Sequence, residues 1–294
     1  MSDAPDQLVT LRHALAGQTV TSSGRRRPVA LTIAGSDSSG GAGVVADLKT
    51  FEAHGVWGTV AITAVTAQNT LGVQAVETLT PEVVRAQIAS VVSDLGVDAA
   101  KTGMLGSAEV VESVVLTVVE LGVGPLVVDP VMVASTGGRL LDPDAVEAVR
   151  LLLLPRATVL TPNLAEAAAL TGFDVPDRVA MVRAARALGE MGPEVVLVKG
   201  GHLGGDASPD CLLVAGGEPV WLEGARLAAN GAHGSGCVLS AAICAELARG
   251  MEPADACLAA KRFVARAIEA GPVLGDGVVP VDPGWERLPG ASAP

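Results

Sequence analysis

A glycine-rich loop late in the chain combines backbone N–H groups with a thiol. Gly234-Ser235-Gly236-Cys237 leads without a break into an Ala- and Leu-rich segment of helical pattern. The first N–H groups of a helix lack intrahelical partners, and the helix dipole favours negative charge there. The loop therefore predicts a site for a phosphate or a developing oxyanion, and the same field would favour a thiolate at Cys237.

Further polar residues come where apolar, strand-like runs end. Asp129 and Lys199 each follow such a run, while Asn163 and Glu166 are three apart at a helix start and so share a face. Mg²⁺ keeps several waters and takes one or two carboxylates plus phosphate oxygens, which Asp129 and Glu166 could supply. A lysine at Lys199 favours an anion such as phosphate. The alternatives are a Glu166 that balances the helix dipole and a Lys199 that extends into solvent.

A second glycine loop, Gly40-Gly41-Ala42-Gly43, lies between the first predicted strand and helix. Glycines allow a backbone to approach a ligand closely, although an ordinary strand-to-helix turn is the alternative. The loop has neither the Gly-Lys-Ser/Thr of a P-loop nor the GxGxxG of a dinucleotide site, which speaks against an NAD-dependent oxidoreductase. Asp47, in the first turn after it, could cap the helix or accept a hydrogen bond from a ring amine.

Strand-like and helix-like segments alternate along the chain, which predicts one α/β domain with a mostly parallel sheet covered on both faces. In such a sheet, ligands bind beyond the carboxyl ends of the strands, where the polar residues above converge. The predicted strands span 29–34, 58–66, 73–79, 98–102, 126–128, 158–160, 195–198, 211–214 and 219–222. The predicted helices span 44–54, 81–94, 107–121, 143–152, 164–170, 178–191, 236–249 and 253–270.

Composition excludes some classes of function. The net charge of −12 argues against nucleic acid as a partner. Hydrophobic residues make up 49% and mean hydropathy is +0.46, yet no apolar run reaches the roughly 18 residues of a membrane span, so we expect no membrane partner. The four cysteines lack zinc-type spacing, and no secretory signal precedes the first strand, which favours a reducing cytoplasm. We expect a flexible tail over 1–28, one domain over 29–271 and a loosely ordered tail over 272–294.

Eight segments, in order, are similar to the hydroxymethylpyrimidine/phosphomethylpyrimidine kinases of thiamine biosynthesis, within the ribokinase-like superfamily. Each segment alone is weak evidence, but eight in the same order are specific. They are Ala34–Gly43, Ala46–Thr50, Ala67–Thr70, Lys101–Leu105, Asp129–Met132, Thr161–Ala167, Lys199–His202 and His233–Cys237.

The resemblance implies a three-layer ribokinase-like fold and an enzyme that uses ATP and Mg²⁺ to phosphorylate a small pyrimidine alcohol and then its monophosphate. It also implies a homodimer. It puts Asp129, Asn163 and Glu166 near Mg²⁺ and the phosphates, Lys199 on the nucleotide phosphates, and Gly234 to Cys237 in the anion hole, with Cys237 as the base. The residues that it implies around the pyrimidine are Gly35, Asp47, Gln68, Met104 and Val131.

The chain departs from the family's usual pattern at three positions, with Ala232, Ser235 and Val238 where the family usually has Thr. Val238 removes a hydroxyl at the helix start, which bears on contacts to the nucleotide. Two other functions stay open: a pyridoxal or pyridoxine kinase of the same superfamily, and a non-catalytic pyrimidine-binding protein.

Overall fold

A twisted, mostly parallel sheet forms the centre of the protein. The computed structural model describes residues 27–132, 143–227 and 232–287. The strands are β1 Val29–Ala34, β2 Trp57–Ile62, β3 Ala64–Asn69, β4 Gly72–Thr78, β5 Ala99–Thr102, β6 Leu126–Val128, β7 Val159–Leu160, β8 Val195–Val198, β9 Asp210–Val214 and β10 Val220–Leu222. The helices are α1 Gly43–Ala53, α2 Pro81–Asp94, α3 Ala108–Glu120, α4 Pro143–Ala148, α5 Leu164–Thr171, α6 Arg178–Gly189, α7 Ser235–Ala248 and α8 Pro253–Glu269.

The sheet order is β10-β9-β8-β7-β6-β5-β1-β2, and the six strands from β8 to β2 run parallel. The antiparallel strands β9 and β10 extend one edge. After β2 the chain returns to the other side of β1, so the strand order reverses between β1 and β5. A crevice opens at such a switch point, at the carboxyl ends of the strands.

Two apolar clusters cover the two faces of the sheet. Alternate residues of each strand point to opposite faces, so Ala100 and Val128 join the cluster under α2 to α6, while Ala99 and Val127 join the one under α1, α7 and α8. The predicted three-layer α/β architecture is confirmed. Within the described ranges, no helix is long and apolar enough to cross a membrane.

Three sequence expectations are corrected. The run 58–66 divides at Thr63 into β2 and β3, and β3 pairs with β4 in a two-stranded sheet of its own, so these two form a separate antiparallel flap. The α-helix expected over 143–152 ends at Ala148 and continues as a short π-helical turn over Val149–Leu153, followed by a 3₁₀ turn that contains Pro155, a residue without a backbone N–H to donate. The expected loose tail over 272–294 instead packs against the body as far as it is described, with Val281 buried.

The N-terminal tail expected over 1–28 lies outside the described residues except for Arg27 and Pro28. Arg27 contacts Glu52 and lies over the ring of Trp57. The remaining helices and strands agree with the predicted segments to within a few residues, as expected where polar and glycine residues mark each boundary.

Candidate functional site

The ends of β6, β7 and β8 meet the N-terminus of α7 beside the switch point. Asp129 follows β6 and is buried, with Oδ1 accepting from Lys199 Nζ at 3.0 Å and Oδ2 accepting from Ser240 Oγ at 3.2 Å. Burial opposes ionisation, but the charges of Lys199 and Lys101 hold the pKa of Asp129 below its usual range. The pair is therefore ionised, and the ammonium of Lys199 stays at the strand ends.

Asn163 and Glu166 form a capping box at the start of α5. Asn163 Oδ1 accepts from the Glu166 N–H at 2.9 Å, and Glu166 Oε2 accepts from the Asn163 N–H at 2.7 Å. Burial, together with the nearby charge of Asp129, raises the pKa of Glu166 to about 7. The same Oε2 lies 3.9 Å from Lys199 Nζ. This placement favours a capping role for Asn163 over direct metal contact.

The donor set fits a hydrated Mg²⁺. Among the residues that the structure describes, no three His, Cys, Asp or Glu side chains form a closed metal site. Mg²⁺ needs no such cage, because it completes its shell with water and phosphate oxygens. Asp129 and Glu166, on either side of Lys199, offer the one or two carboxylates that it takes.

The glycine loop at α7 lies directly over this cluster. Gly234 is the N-cap of α7 with φ +83°, and a Cβ there would lie 1.8 Å from the carbonyl oxygen of Gly41. A Cβ on Gly236 would lie 3.3 Å from Lys199 Nζ and 3.8 Å from Asp129 Oδ2. The first-turn N–H groups and the ammonium thus face the same small volume, as a phosphoryl group requires.

The surroundings of Cys237 disfavour the thiolate that the sequence pattern predicts. Burial, with the charges of Asp47 and Asp129, raises the pKa of its thiol to about 11 and outweighs the opposing effects of Lys101 and the Gly43 N–H. The predicted thiolate is therefore wrong for the free protein. A helix N-terminus favours the anion, but the loss of water around sulfur costs more.

Asp47 does not face open space. Its Oδ1 accepts from Lys101 Nζ at 2.9 Å and its Oδ2 from Thr32 Oγ1 at 2.6 Å, and its side chain has no exposed area. The register of β1 and β5 sets Thr32 beside Lys101, so both reach the same side of the sheet. The interpretation of Asp47 as an acceptor for a ring amine finds no support in this placement.

Lys101 is a functional candidate that sequence reasoning passed over. It lies within an apolar strand and is wholly buried, and although burial opposes its charge, Asp47, Cys237 and Asp129 raise its pKa. The available signal was a lysine inside a buried strand, which needs a carboxylate partner.

Besides Asp47, the residues expected around the acceptor ring lie in three places. A Cβ on Gly35 would lie 2.3 Å from Cε of Met104, so these two are in contact. Gln68 lies on the flap, with Nε2 3.4 Å from His233 Nε2. Val131 is half-buried and follows Asp129, next to residues 133–142, which lie outside the described ranges.

Asp37 and His233 are two further polar residues that no sequence motif had singled out for a role. His233 Nε2 lies 2.9 Å from Asp37 Oδ2, and both side chains are buried. Asp37 also accepts from the N–H groups of Ser39 and Ala42, and despite burial its hydrogen bonds with His233 and Ser39 lower its pKa. An Asp followed by Ser-Ser-Gly-Gly is typical of a side chain that caps a turn. The pair ties the first glycine loop to the second.

A cavity of about 470 Å³ lies on the outer side of the first glycine loop. Its walls include Gly40, Gly41, Lys49 and Asp282, but none of the strand-end residues. The candidate phosphate site is therefore the cluster of charged groups at the strand ends, and this cavity lies outside it.

Comparisons with known proteins agree with this geometry. The phosphomethylpyrimidine kinase family model matches residues 37–282. A hydroxymethylpyrimidine/phosphomethylpyrimidine kinase of Streptomyces coelicolor is 53% identical over 261 residues, 88% of this chain and 95% of the relative. Phosphomethylpyrimidine kinase from Clostridium difficile superposes with a TM-score of 0.73 at 40% identity, over 82% of this chain and all of that one. The ADP complex of Bacillus subtilis pyridoxal kinase superposes with a TM-score of 0.82 at 38% identity, over 89% and 99%.

Proposed function

Because the chain belongs to the phosphomethylpyrimidine kinase family, we propose that it makes the pyrimidine diphosphate of thiamine biosynthesis. ATP phosphorylates 4-amino-5-hydroxymethyl-2-methylpyrimidine, and a second ATP phosphorylates the resulting monophosphate. In the first transfer the bond from the γ-phosphorus to the bridging oxygen breaks, a bond to the hydroxymethyl oxygen forms, and the hydroxyl proton leaves. The observation that carries the proposal is the Lys199 ammonium, held between Asp129 and Glu166 beside Gly236.

Positioning and charge stabilisation supply most of the catalysis in phosphoryl transfer. Lys199 neutralises charge on the transferring group, while the N–H groups at Gly236 and Cys237 face its equatorial oxygens. One lost donor of this kind typically costs about 3 kcal/mol of the barrier. Asp129 and Thr161 hold Lys199 in place, since Oδ1 of Asp129 also accepts from Thr161 Oγ1 at 3.2 Å.

A bound Mg²⁺ would neutralise phosphate oxygens and align the ATP chain. Asp129 and Glu166 would hold it, in part through water. Glu166 is suited to this because, with its pKa near 7, a nearby cation would readily shift it to the carboxylate.

The thiol of Cys237 polarises the attacking hydroxyl in this proposal and does not take its proton beforehand. A thiol with a pKa of about 11 is protonated at neutral pH. The loose transition state of phosphoryl transfer needs little prior deprotonation, so the proton leaves late, to a phosphoryl oxygen or to water.

The acceptor ring would lie between the flap and the strand ends. Met104 beside Gly35 offers an apolar surface, and Gln68 offers an amide that can read ring nitrogens. Val131 would border the ring from the β6 side. Asp47 would act through Lys101, since its own oxygens are already bonded.

Pyridoxal phosphorylation is the second candidate, because Bacillus subtilis pyridoxal kinase resembles this fold with a TM-score of 0.82. ATP consumption is measured with the pyrimidine alcohol, its monophosphate and pyridoxal in parallel. We expect kcat/KM to be highest for the two pyrimidines, and Lys199→Met serves as the inactive control. A higher kcat/KM for pyridoxal would reverse the assignment, and binding without ATP turnover would support a non-catalytic binding protein.

The proposal includes a homodimer in the cytoplasm. The exposed apolar residues Trp57, Val65, Leu71 and Val76 on β2 and the flap support association. Cys211, Cys237, Cys244 and Cys257 are all unbridged, which suits a reducing compartment. Sedimentation of wild type and of Val65→Asp tests the dimer, which the charge should weaken.

A further inference from the structure

The segment 275–282, called here the strap, touches the tip of the flap. The Val278 N–H donates to the carbonyl oxygen of Thr70 at 2.9 Å, and the Gly277 N–H donates to Thr70 Oγ1 at 3.3 Å. A Cβ on Gly277 would lie 1.9 Å from the Thr70 carbonyl oxygen. Gly275, with φ +66°, would bring a Cβ within 2.5 Å of Thr70 Oγ1. Only glycine permits so close an approach at both positions.

The strap also binds the loop that leads into α7. The His233 N–H donates to the Val279 carbonyl at 3.0 Å, and the Val281 N–H donates to the His233 carbonyl at 3.2 Å. The strap is anchored to the body where the Asp282 N–H donates to the Ala267 carbonyl at 2.9 Å and where Val281 is buried. One short segment therefore fixes the flap tip and the glycine loop relative to each other.

The side chain of His233 completes this connection from inside. It contacts Asp37 of the first glycine loop at 2.9 Å, and its Nε2 lies 3.4 Å from the amide nitrogen of Gln68 on the flap. The space between flap and glycine loop is where the acceptor must lie if Gln68 is to reach it. The strap thus sets the width of that space through backbone contacts at Thr70.

We propose that Gly277 and Thr70 are positioning residues for the phosphoryl acceptor: the strap holds the flap at the spacing that binds the pyrimidine. The inference rests on the proposed function for the identity of the acceptor. Gly277 contacts the flap tip, whereas the strap reaches the loop before α7 through Val279 and Val281, so loosening the Gly277 contact alone should weaken acceptor binding and spare ATP binding.

Gly277→Ala tests this, because its methyl group must push the strap away from Thr70. We expect the KM for the pyrimidine alcohol to rise about tenfold or more, while the KM for ATP stays within about twofold. Gly204→Ala is the matched control: it lies in an exposed loop, and a Cβ there would meet nothing within 4 Å. Equal rises in both KM values, or no change in either, would overturn the inference.

Hydrogen exchange, followed by mass spectrometry without substrate, gives a readout that does not depend on the reaction. In Gly277→Ala the amides of residues 64–78 should exchange faster, with α3 unchanged. Unaltered flap exchange would also overturn the inference. If Gly277→Ala shows the faster flap exchange but the wild type does not phosphorylate the pyrimidine, the proposed function fails and the strap holds the flap for another acceptor.

Should Gly277→Ala fail to fold, Thr70→Ala replaces it as the test, because it removes only the Oγ1 contact. Its KM for the acceptor should also rise, and an unchanged KM would count against the inference.

Discussion

Lys101 Nζ lies 2.9 Å from Oδ1 of Asp47, and neither side chain is exposed to solvent. The pair lies beneath the glycine loop of α7, and the charges of Lys101 and Asp47 both act on the thiol of Cys237. A buried ion pair of this kind gains little net stability over apolar residues, yet breaking it leaves an uncompensated charge. The pair therefore holds the positive charge of Lys101 behind the site, and the hydroxyl of Thr32 holds the Asp47 carboxylate in place.

Removing one member of this pair should destabilise the fold. Asp47→Asn or Lys101→Met is expected to lower the free energy of unfolding by about 3 to 5 kcal/mol, whereas the double variant Asp47→Leu/Lys101→Met should lose less than either. Urea denaturation measures both. Arg186→Met, which breaks an exposed ion pair with Glu218, is the control and should change stability by less than about 1 kcal/mol. A raised acceptor KM in Asp47→Asn at unchanged stability would instead make Asp47 a substrate ligand.

Lys199 should matter most for the chemical step. Lys199→Met removes the ammonium that faces the transferring phosphoryl group, and we expect kcat/KM for ATP to fall by about 10² to 10³. Asp129 loses its partner in the same variant, so thermal unfolding must be recorded alongside. A folded Lys199→Met protein with near wild-type turnover would remove Lys199 from the mechanism.

The two glycines flanking Ser235 should respond differently to alanine. Gly234→Ala combines a positive φ with a Cβ 1.8 Å from a backbone oxygen, so it should lower the melting temperature strongly. Gly236→Ala introduces a methyl group 3.3 Å from Lys199 Nζ, where it should lower kcat/KM for ATP with little change in melting temperature. Melting curves and initial rates of the two variants test this. Full activity of Gly236→Ala would show that no phosphate approaches this turn.

The reactivity of Cys237 should rise with pH well beyond neutrality. With a pKa of about 11 the thiolate fraction grows about tenfold for each pH unit, so the rate of alkylation by iodoacetamide should climb from pH 7 to 10 without a plateau. Cys237→Ser identifies the labelled site, because Cys211, Cys244 and Cys257 are buried. A plateau near pH 7 would mean that the thiolate forms readily after all.

Turnover of Cys237→Ser and Cys237→Ala then separates two roles of the thiol. We expect Cys237→Ser to keep most of the activity, since a hydroxyl can also polarise the acceptor. A loss as large in Cys237→Ser as in Cys237→Ala would favour a true base. Near wild-type rates in both would remove the residue from the chemistry.

The sequence by itself determined the alternating strands and helices and the polar residues that follow them. Apolar periodicity and glycine boundaries are local properties, so β6, β8 and α2 agree with prediction at both ends. The parallel arrangement then brings Asp129, Glu166 and Lys199 to one edge, as expected for a sheet whose carboxyl ends meet.

Only the tertiary structure decided which groups pair and which remain open to a ligand. Asp47 meets Lys101 across 54 positions, Asp37 meets His233 across 196, and Gly277 meets Thr70 across 207. No local pattern encodes such contacts. The state of Cys237 likewise depends on how much water the packed loops exclude, because desolvation, and not the helix N-terminus, decides whether its thiol is charged.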